Sequence, residues 1–483
     1  MLALLLGIEV ITLFLGIKSF GNKNNTLDDI KLLDNKSNNL FAIMVKGSDG
    51  NYNESSTFPT GAYVLNEAMS TCVDNNGNKI DNVLSYSDGV ISASANKTVY
   101  CYLYFDKELI KVYDKVIDDY NNSNGVKKTI DENGKEVYYY TGNITNNNIV
   151  LNNYCWKMVR TTETDGVKLL YNGIYSQNTK CNNLGTSTFI DSAGTLYNQN
   201  YISPAYVGYM YGTPYERIKK SISDFGTYYY GSDVTWNGTN YTLNNAESGT
   251  ITNMYSKLNN KHYTCLSTSS SCSTIYYIYY YYENNTVYYI ALTNGKKIED
   301  ALDEMLNYNT TNSNIKTVID NWYSTNMTNI TNYLENAIYC NNRHITSLGG
   351  WNPSGGSIST LVSLQFYYDS NKRFTCEDKE DQFTLKVDSG GTLGYGNNAL
   401  DYPVGLLTSR EAQNINNGDA YWLMTPDYFS DSMACVDYVK TGSINSEIVR
   451  ETLGVRPAIS LKKTIKITGG TGEIEDPYTV SLS

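Results

Sequence analysis

The chain is poor in the residues on which many catalytic motifs depend. It contains only 2 histidines in 483 residues, and His262 and His344 lie far apart in the sequence. A Ser-His-Asp or Cys-His arrangement would have to use one of them. We interpret each instead as a surface or capping histidine. The metalloprotease motif HExxH and the hydrolase motif GxSxG are missing from the sequence, which argues against hydrolases of these types.

Basic clusters are also missing. The sequence has no block of five or more Lys or Arg residues, and its net charge is −12 with a pI of about 4.8. A protein that binds duplex nucleic acid needs basic side chains to replace the counterions on the phosphates. The composition therefore excludes nucleic acid as a partner and leaves sugars or protein surfaces.

The nine cysteines form no CxxC pair, which excludes zinc ribbons and thioredoxin-type motifs. In an exported chain eight of them can form four disulfides, in 105 possible connectivities. The alternative is a cytosolic chain with reduced cysteines in its core. The simplest connectivity joins sequence neighbours and leaves Cys435 over: Cys72–Cys101, Cys155–Cys181, Cys265–Cys272 and Cys340–Cys376.

Only one long apolar run occurs, at residues 1–17. No basic residue precedes it, and it is slightly short for a membrane helix of roughly 20 residues. The polar residues that follow include Ser19 and Gly21, which suit a cleavage site. We predict a hydrophobic segment over 1–21 that exports the chain or anchors it in the membrane. The alternatives are a buried core helix or a chain whose true start lies upstream.

Two folded parts are expected in the rest of the chain. Alternating apolar residues predict strands, the turn sequence TETDG joins two strands in a hairpin, and Ile315, Ile319 and Trp322 share one face of a predicted helix. The fold class is therefore α+β. The predicted parts are a polar stalk over 22–40 with a short helical pattern, a small β module over 41–105, a linker over 106–137, an α+β domain over 138–464 with an inserted Tyr-rich β segment over 226–297, and a C-terminal strand and tail over 465–483.

The sequence is rich in residues that suit a wet binding surface. It has 46 tyrosines, and asparagine is commoner still. Tyrosine offers a flat apolar ring with a polar tip, as a recognition surface requires. A genomic bias toward AT-rich codons also favours these residues.

An acidic run near the C-terminus is the best candidate for a site. If the run folds back on itself, Asp427, Asp431 and Asp437 supply the oxygen ligands that calcium prefers. The alternative, which the run alone favours, is a solvated loop. Trp422 precedes this run and offers a ring for stacking on a sugar, or else belongs to the core. The candidate ligand-binding residues are Trp422, Asp427, Tyr428, Trp351 and Asn352. No cofactor other than calcium is expected.

Four segments carry a resemblance to a known family. They are FAIMVKGSDGNYNESSTFPTGAYVLNEAMSTC, NNYCWKMVRTTETDGVKLLYNG, YCNNRHI with FTCEDKEDQFT, and DYPVGLLTSREAQN with AYWLMTP and LGVRPAISLKKTIKITGGTGEIEDPY. Together they resemble exported proteins of low-GC Gram-positive gut bacteria, whose C-terminal domain is similar to the fold shared by formylglycine-generating enzymes and C-type lectins.

The resemblance implies a C-type-lectin-like domain and supports the Cys340–Cys376 pair. It also implies ligand binding through loops near Trp422 and Asp427, with Arg456 anchoring a loop by hydrogen bonds. An enzyme of the formylglycine-generating type would need a reactive cysteine pair, for which Cys376 and Cys435 are the candidates, although the surrounding enzyme motif does not match.

The expected function is that of an extracellular, surface-displayed protein that binds a glycan or a protein, as an adhesin or lectin-like protein does. The alternatives are an oxidase-like enzyme of the formylglycine-generating type and a structural component of a surface layer or appendage.

Overall fold

The fold was examined in a computed structural model, in which strands make up 43% of the chain and helices 15%. The architecture is thus mainly β. The structure describes residues 31–34, 40–47, 50–59, 63–87, 90–94, 98–142, 144–201, 203–212, 218–221, 225–251, 253, 262–282, 286–301, 310–343, 358–359, 374, 376, 379–385, 398–413, 415, 419–430 and 433–482.

The chain divides into two units, residues 1–110 and 111–483. In the first unit the long strand β9 lies at the centre of a sheet of order β3-β2-β9-β5-β6, and β4 also pairs with β9. A second sheet has the order β1-β8-β7. The strands are β1 (Lys31–Asp34), β2 (Leu40–Lys46), β3 (Tyr52–Ser55), β4 (Tyr63–Leu65), β5 (Thr71–Val73), β6 (Lys79–Ile80), β7 (Leu84–Ser87), β8 (Val90–Ala93) and β9 (Tyr100–Lys107).

The second unit contains 27 strands among its described residues. They are β10 (Val126–Ile130), β11 (Glu136–Tyr140), β12 (Asn148–Leu151), β13 (Tyr154–Thr161), β14 (Val167–Ile174), β15 (Thr195–Leu196), β16 (Met210–Tyr211), β17 (Ile218–Ser221), β18 (Tyr228–Gly231), β19 (Val234–Trp236), β20 (Tyr241–Leu243), β21 (Glu247–Gly249), β22 (His262–Cys265), β23 (Ser271–Cys272), β24 (Ile275–Tyr282), β25 (Thr286–Leu292), β26 (Thr311–Asn312), β27 (Tyr339–Cys340), β28 (Ile358–Ser359), β29 (Gln382–Phe383), β30 (Tyr421–Ser430), β31 (Met433–Lys440), β32 (Ser443–Ile448), β33 (Thr452–Leu453), β34 (Ala458–Leu461), β35 (Ile467–Gly469) and β36 (Tyr478–Val480).

Helices in the described part of this unit are few and short. The α-helices are α1 (Val112–Asn121), α2 (Asn314–Asn326) and α3 (Ser409–Ala412), and the 3₁₀ turns are Gly185–Thr188, Pro204–Val207, Thr328–Tyr333 and Lys379–Asp381. Of the face predicted on α2, Ile315 and Ile319 are fully buried, whereas Trp322 is half-buried. Among the described residues, no helix is both long and apolar enough to cross a membrane.

The largest sheet organises the core of the second unit. Its order is β10-β11-β13-β12-β36-β35, and β14 joins β13 to β34. The predicted hairpin around TETDG is confirmed by the antiparallel pairing of β13 with β14. Trp156 lies in the core against Tyr171 and Trp322, while its neighbour Cys155 forms a disulfide with Cys181. Neighbouring side chains on a strand point to opposite faces of the sheet. Cys155 therefore points away from the face that Trp156 occupies, and its disulfide links this strand to the following segment.

A Tyr-rich sheet forms the inserted segment. Its order is β17-β25-β24-β22-β18-β21. The predicted hairpin of β24 and β25 is confirmed, with Tyr277 paired to Ile290 and a register shift between Ile278 and Tyr280. Tyr263 and Tyr277 pack edge to face in its core. These two tyrosines therefore belong to the core and not to an exposed surface.

Several segments differ from the sequence-based expectation. Residues 31–34, expected in a stalk with a helical pattern, form β1, because their backbone pairs in parallel with β8. Residues 106–137, expected to be a linker, contain α1 and β10, because Val112 and Val116 supply a buried apolar face. The C-terminal strand predicted over 465–483 belongs to the main sheet through β36. The export segment over 1–21 lies outside the described residues.

Removing the Cys155–Cys181 disulfide by a double substitution to Ala should lower the free energy of unfolding by roughly 3 kcal/mol. This bridge spans 26 residues, whereas Cys265–Cys272 spans 7. A longer closed loop restricts the unfolded chain more. Urea unfolding of the oxidised protein should therefore show a smaller loss for the Cys265→Ala/Cys272→Ala variant. An equal or larger loss for that short bridge would contradict this explanation.

Candidate functional site

The C-terminal candidate residues lie on a hairpin. The run from Thr425 to Tyr438, expected as a loop, forms most of β30 and β31, in which Trp422 pairs with Tyr438 and Tyr428 with Cys435. β31 also pairs with β32 on its other side, so the second half of the run lies inside a sheet. Asp431, Trp351 and Asn352 lie outside the described residues, so their predicted roles stay predictions.

Trp422 belongs to the core. It is 0% exposed, its Nε1–H donates a hydrogen bond of 2.9 Å to the carbonyl oxygen of Thr195, and its ring packs edge to face on Tyr197. In this arrangement neither face of the indole is open to a sugar. The structure therefore agrees with the interpretation of Trp422 as a core residue.

Two of the predicted calcium ligands lie close together. Asp437 is buried and accepts a hydrogen bond of 2.5 Å from the Ser409 hydroxyl. Burial raises the pKa of Asp437 well above its ordinary value, and the negative charge of Asp427 adds to the shift. Asp427 itself is half-buried. Whether this pair holds calcium stays a prediction.

All nine cysteines lie among the described residues. The four expected neighbour bridges are present, with S–S distances of 1.99–2.05 Å. Cys435 is buried, forms no disulfide, and places its Sγ 3.9 Å from the carbonyl oxygen of Met433. Four disulfides suit an oxidising, extracellular environment.

The residues proposed for oxidase chemistry are engaged elsewhere. Cys376 is bonded to Cys340, so it offers no thiol to pair with Cys435. His262, expected at the surface or as a cap, is instead fully buried on β22, because β18 and β24 flank it in the Tyr-rich sheet. Burial lowers the pKa of His262 to about 3, which keeps the ring neutral. His344 lies outside the described residues.

A groove of about 190 Å³ opens in the first unit. Apolar walls come from Leu65 and Tyr86, and Glu67 and Lys79 supply charge of both signs. Thr71 is one of the lining residues, and its buried hydroxyl makes no hydrogen bond with the described residues. We call this feature the N-terminal groove. An aromatic ring beside mixed polar groups can take a ligand with one apolar face and several hydroxyls.

A buried charge network beside β13 was missed by the sequence analysis. Arg160 is 0% exposed, its Nη2 donates to Glu132 Oε1 at 2.5 Å, and its Nε donates to Glu411 Oε1 at 2.6 Å. Lys168 Nζ donates to the same Glu411 oxygen at 2.8 Å. The guanidinium also lies over the ring of Phe374, 4.9 Å from its centre. These groups hold the turn between β10 and β11, and α3, against the sheet.

The pKa values of the two glutamates in this network shift in opposite directions. Burial raises the pKa of Glu132 to about 7, and the cations Arg160 and Lys168 offset only part of that effect. Burial would also raise the pKa of Glu411, but the charges of Lys168 and Arg160 outweigh it and lower that pKa to about 2. Glu411 is thus the firmly ionised partner of the two cations.

Two hairpin tips bring further carboxylates to this network. Asp131 follows β10 and Glu163 follows β13. Carboxylate oxygens of Asp131, Glu132 and Glu163 lie within 4.8 Å of one another. We call these three residues the hairpin-tip cluster. The sequence carried a partial signal, since DENG and TETDG are acidic turns, but nothing in it showed that the two turns meet.

Comparison of the chain with protein-family models, with curated proteins and with solved structures gave no match. The resemblance to exported proteins with a C-type-lectin-like domain is therefore still a prediction.

Replacing Arg160 by Met should lower the free energy of unfolding by about 3–5 kcal/mol, because Glu132 and Glu411 would then lose their buried counter-charge. Urea unfolding at neutral pH measures this loss. The control is Lys128→Met, which removes a pair with Glu136 at the surface, where both side chains are about half exposed. That control should cost less than about 1 kcal/mol. Equal losses in the two variants would contradict the role given to Arg160.

Replacing Asp437 by Asn should raise stability at neutral pH. Because the folded-state pKa of Asp437 lies above its unfolded value, its favourable contribution exists in acid and is lost as the pH rises through the folded pKa. The Asn side chain can still accept the Ser409 hydrogen bond, so the gain should shrink toward acid pH. Thermal unfolding at pH 4 and pH 7 without calcium measures it. A variant less stable than the parent at pH 7 would contradict the expectation.

Proposed function

We propose that this chain is an extracellular, surface-displayed binding protein that recognises a glycan. In this proposal the second unit is a C-type-lectin-like domain. The observation that carries the extracellular part is the set of four disulfides between neighbouring cysteines, since such bridges persist in oxidising environments outside the cell. The sequence resemblance to exported surface proteins supports the same location.

The N-terminal groove supports a sugar as the ligand. Its volume of about 190 Å³ is below the range of drug-sized pockets, which begins at about 300 Å³, so it suits one sugar ring better than a large cofactor. Tyr86 offers the flat apolar surface on which a sugar ring stacks. Thr71 Oγ1 is buried without a hydrogen bond among the described residues, and a buried hydroxyl of this kind gains from a ligand that bonds to it.

Binding fits this chain better than catalysis. The thiol of Cys376 that an oxidase would use is committed to a disulfide, and His262 is neutral and enclosed. The N-terminal groove, in contrast, is open and contains an acidic and a basic side chain, Glu67 and Lys79.

The oxidised full chain should bind selected members of a glycan array, and calorimetry with the best-bound oligosaccharide should give a saturable isotherm. Tyr86→Ala should weaken that binding at least about tenfold, because it removes the stacking surface. The matched control is Tyr63→Ala, since Tyr63 and Tyr86 both pack partly buried against the same core cluster but Tyr63 does not line the groove. Tyr63→Ala should leave the affinity unchanged.

Thr71→Val gives a second, independent test. The valine has the same shape and removes a hydroxyl without a protein partner, so folding stability should stay equal or rise. Glycan affinity should fall. No binding to any array glycan, or equal losses in Tyr86→Ala and Tyr63→Ala, would overturn the assignment of the groove as a glycan site.

A further inference from the structure

The hairpin-tip cluster contains three carboxylate oxygens to which no described residue donates a hydrogen bond. Each residue uses one oxygen: Asp131 Oδ1 accepts from two backbone N–H groups, Glu132 Oε1 from Arg160, and Glu163 Oε1 from the backbone N–H of Ile338. The other oxygen of each is buried and accepts no hydrogen bond from any described group. Asp131 is 0% exposed and the Glu132 side chain 2%, so a missing hydrogen bond at these positions is costly.

The charges around these oxygens do not balance. The charges of Glu163 and Glu411 act on Glu132, and the charge of Glu163 acts on Glu335, while Arg160 and Lys168 are the cations of the group. Lys135 lies nearby, but its ammonium group donates to the carbonyl oxygen of Glu163 and to Asp165. With Asp131 and these four glutamates all ionised, the carboxylates would exceed Arg160 and Lys168 by three charges. Protons on Glu132 and Glu335, whose pKa values burial raises to about 7, reduce that excess. A buried excess of this size calls for a cation or for bound protons.

We propose that Asp131, Glu132 and Glu163 form a calcium-binding site that joins the tips of the two hairpins. Three hard oxygen atoms from carboxylates are the ligands that calcium prefers, and backbone carbonyls or water complete its six to eight ligands. Two oxygens bound to one calcium ion lie at most about 5 Å apart, since each bond is about 2.3–2.6 Å long. The spacing of 4.8 Å or less within the cluster meets this limit.

The position of the site explains what the ion does. Asp131 sits in the turn between β10 and β11, and Glu163 sits in the turn between β13 and β14. The two hairpins already touch through the pairing of Tyr139 with Arg160. An ion at the tips ties their ends together and offsets the excess negative charge there. Glu163 is half-buried, whereas its two partners are buried, so the ion enters past Glu163.

The site differs from the one predicted at Asp427 and Asp437, and a paired experiment separates them. The oxidised full chain is treated with chelator, exchanged into chelator-free buffer, and titrated with calcium chloride in a calorimeter, then separately with magnesium chloride. We expect one calcium site with a dissociation constant in the range of extracellular modules, about 10⁻⁴–10⁻³ M, and a higher melting temperature in saturating calcium. Magnesium should bind more weakly.

Glu163→Gln is the test variant, because Gln keeps the oxygen that accepts from Ile338 and removes the charge. Its calcium affinity should fall at least about tenfold, since even residues outside the ligand shell cost 10–100-fold. Glu447→Gln is the matched control, because Glu447 is a half-buried glutamate of the same unit whose Oε1 also accepts from a backbone N–H group. It should leave calcium binding unchanged. Asp427→Asn tests the other candidate site separately. If circular dichroism shows that Glu163→Gln is unfolded, Asp131→Asn replaces it, since Asn retains the acceptor for both backbone N–H groups.

Three results would overturn the proposal. One is the absence of calorimetric heat and of any thermal shift up to about 10 mM calcium, well above the affinity range of such modules. The second is calcium binding that Asp427→Asn abolishes and Glu163→Gln leaves intact. The third is magnesium binding as tight as that of calcium. Glycan binding by the N-terminal groove does not enter any of these outcomes.

Discussion

The burial of Arg160 is the constraint on which the arrangement of the second unit depends. A guanidinium that cannot reach water must find its counter-charges inside the fold, because a lone buried charge is strongly destabilising. Its partners lie 28 and 251 residues away in the sequence. Meeting that requirement ties the hairpin of β10 and β11, and α3, to β13. The excess of carboxylates left around it is the reason that a cation is expected at the hairpin tips.

Much of the fold could be predicted from local patterns. The hairpin of β13 and β14 followed from a D-G turn between apolar runs, and the four disulfides followed from the simplest pairing of neighbours. Arg456 donates to the carbonyl oxygen of Tyr171 and to Asn172, which confirms its predicted role as an anchor. In the hairpin and the disulfides the interacting residues are close in sequence. For Arg456 only the anchoring role was predicted, because its partners lie 284 and 285 residues away.

Contacts between distant segments could not be predicted in this way. The helix α1 was hidden in a charged, Asn-rich stretch, because only Val112 and Val116 mark its buried side. The burial of Trp422 depends on Tyr197 and Thr195, more than 220 residues earlier in the chain. For the same reason the sequence pointed to the acidic run at the C-terminus and missed the hairpin-tip cluster, whose three members meet only when β11 pairs with β13.

The proposed binding function requires that the protein works outside the cell with its cysteines oxidised. Peptide mass spectrometry under non-reducing conditions, on protein recovered from the cells that produce it, tests that claim directly. We predict bridges 72–101, 155–181, 265–272 and 340–376, with Cys435 outside any disulfide. Recovery of all nine cysteines as thiols would contradict the extracellular assignment and the binding function built on it.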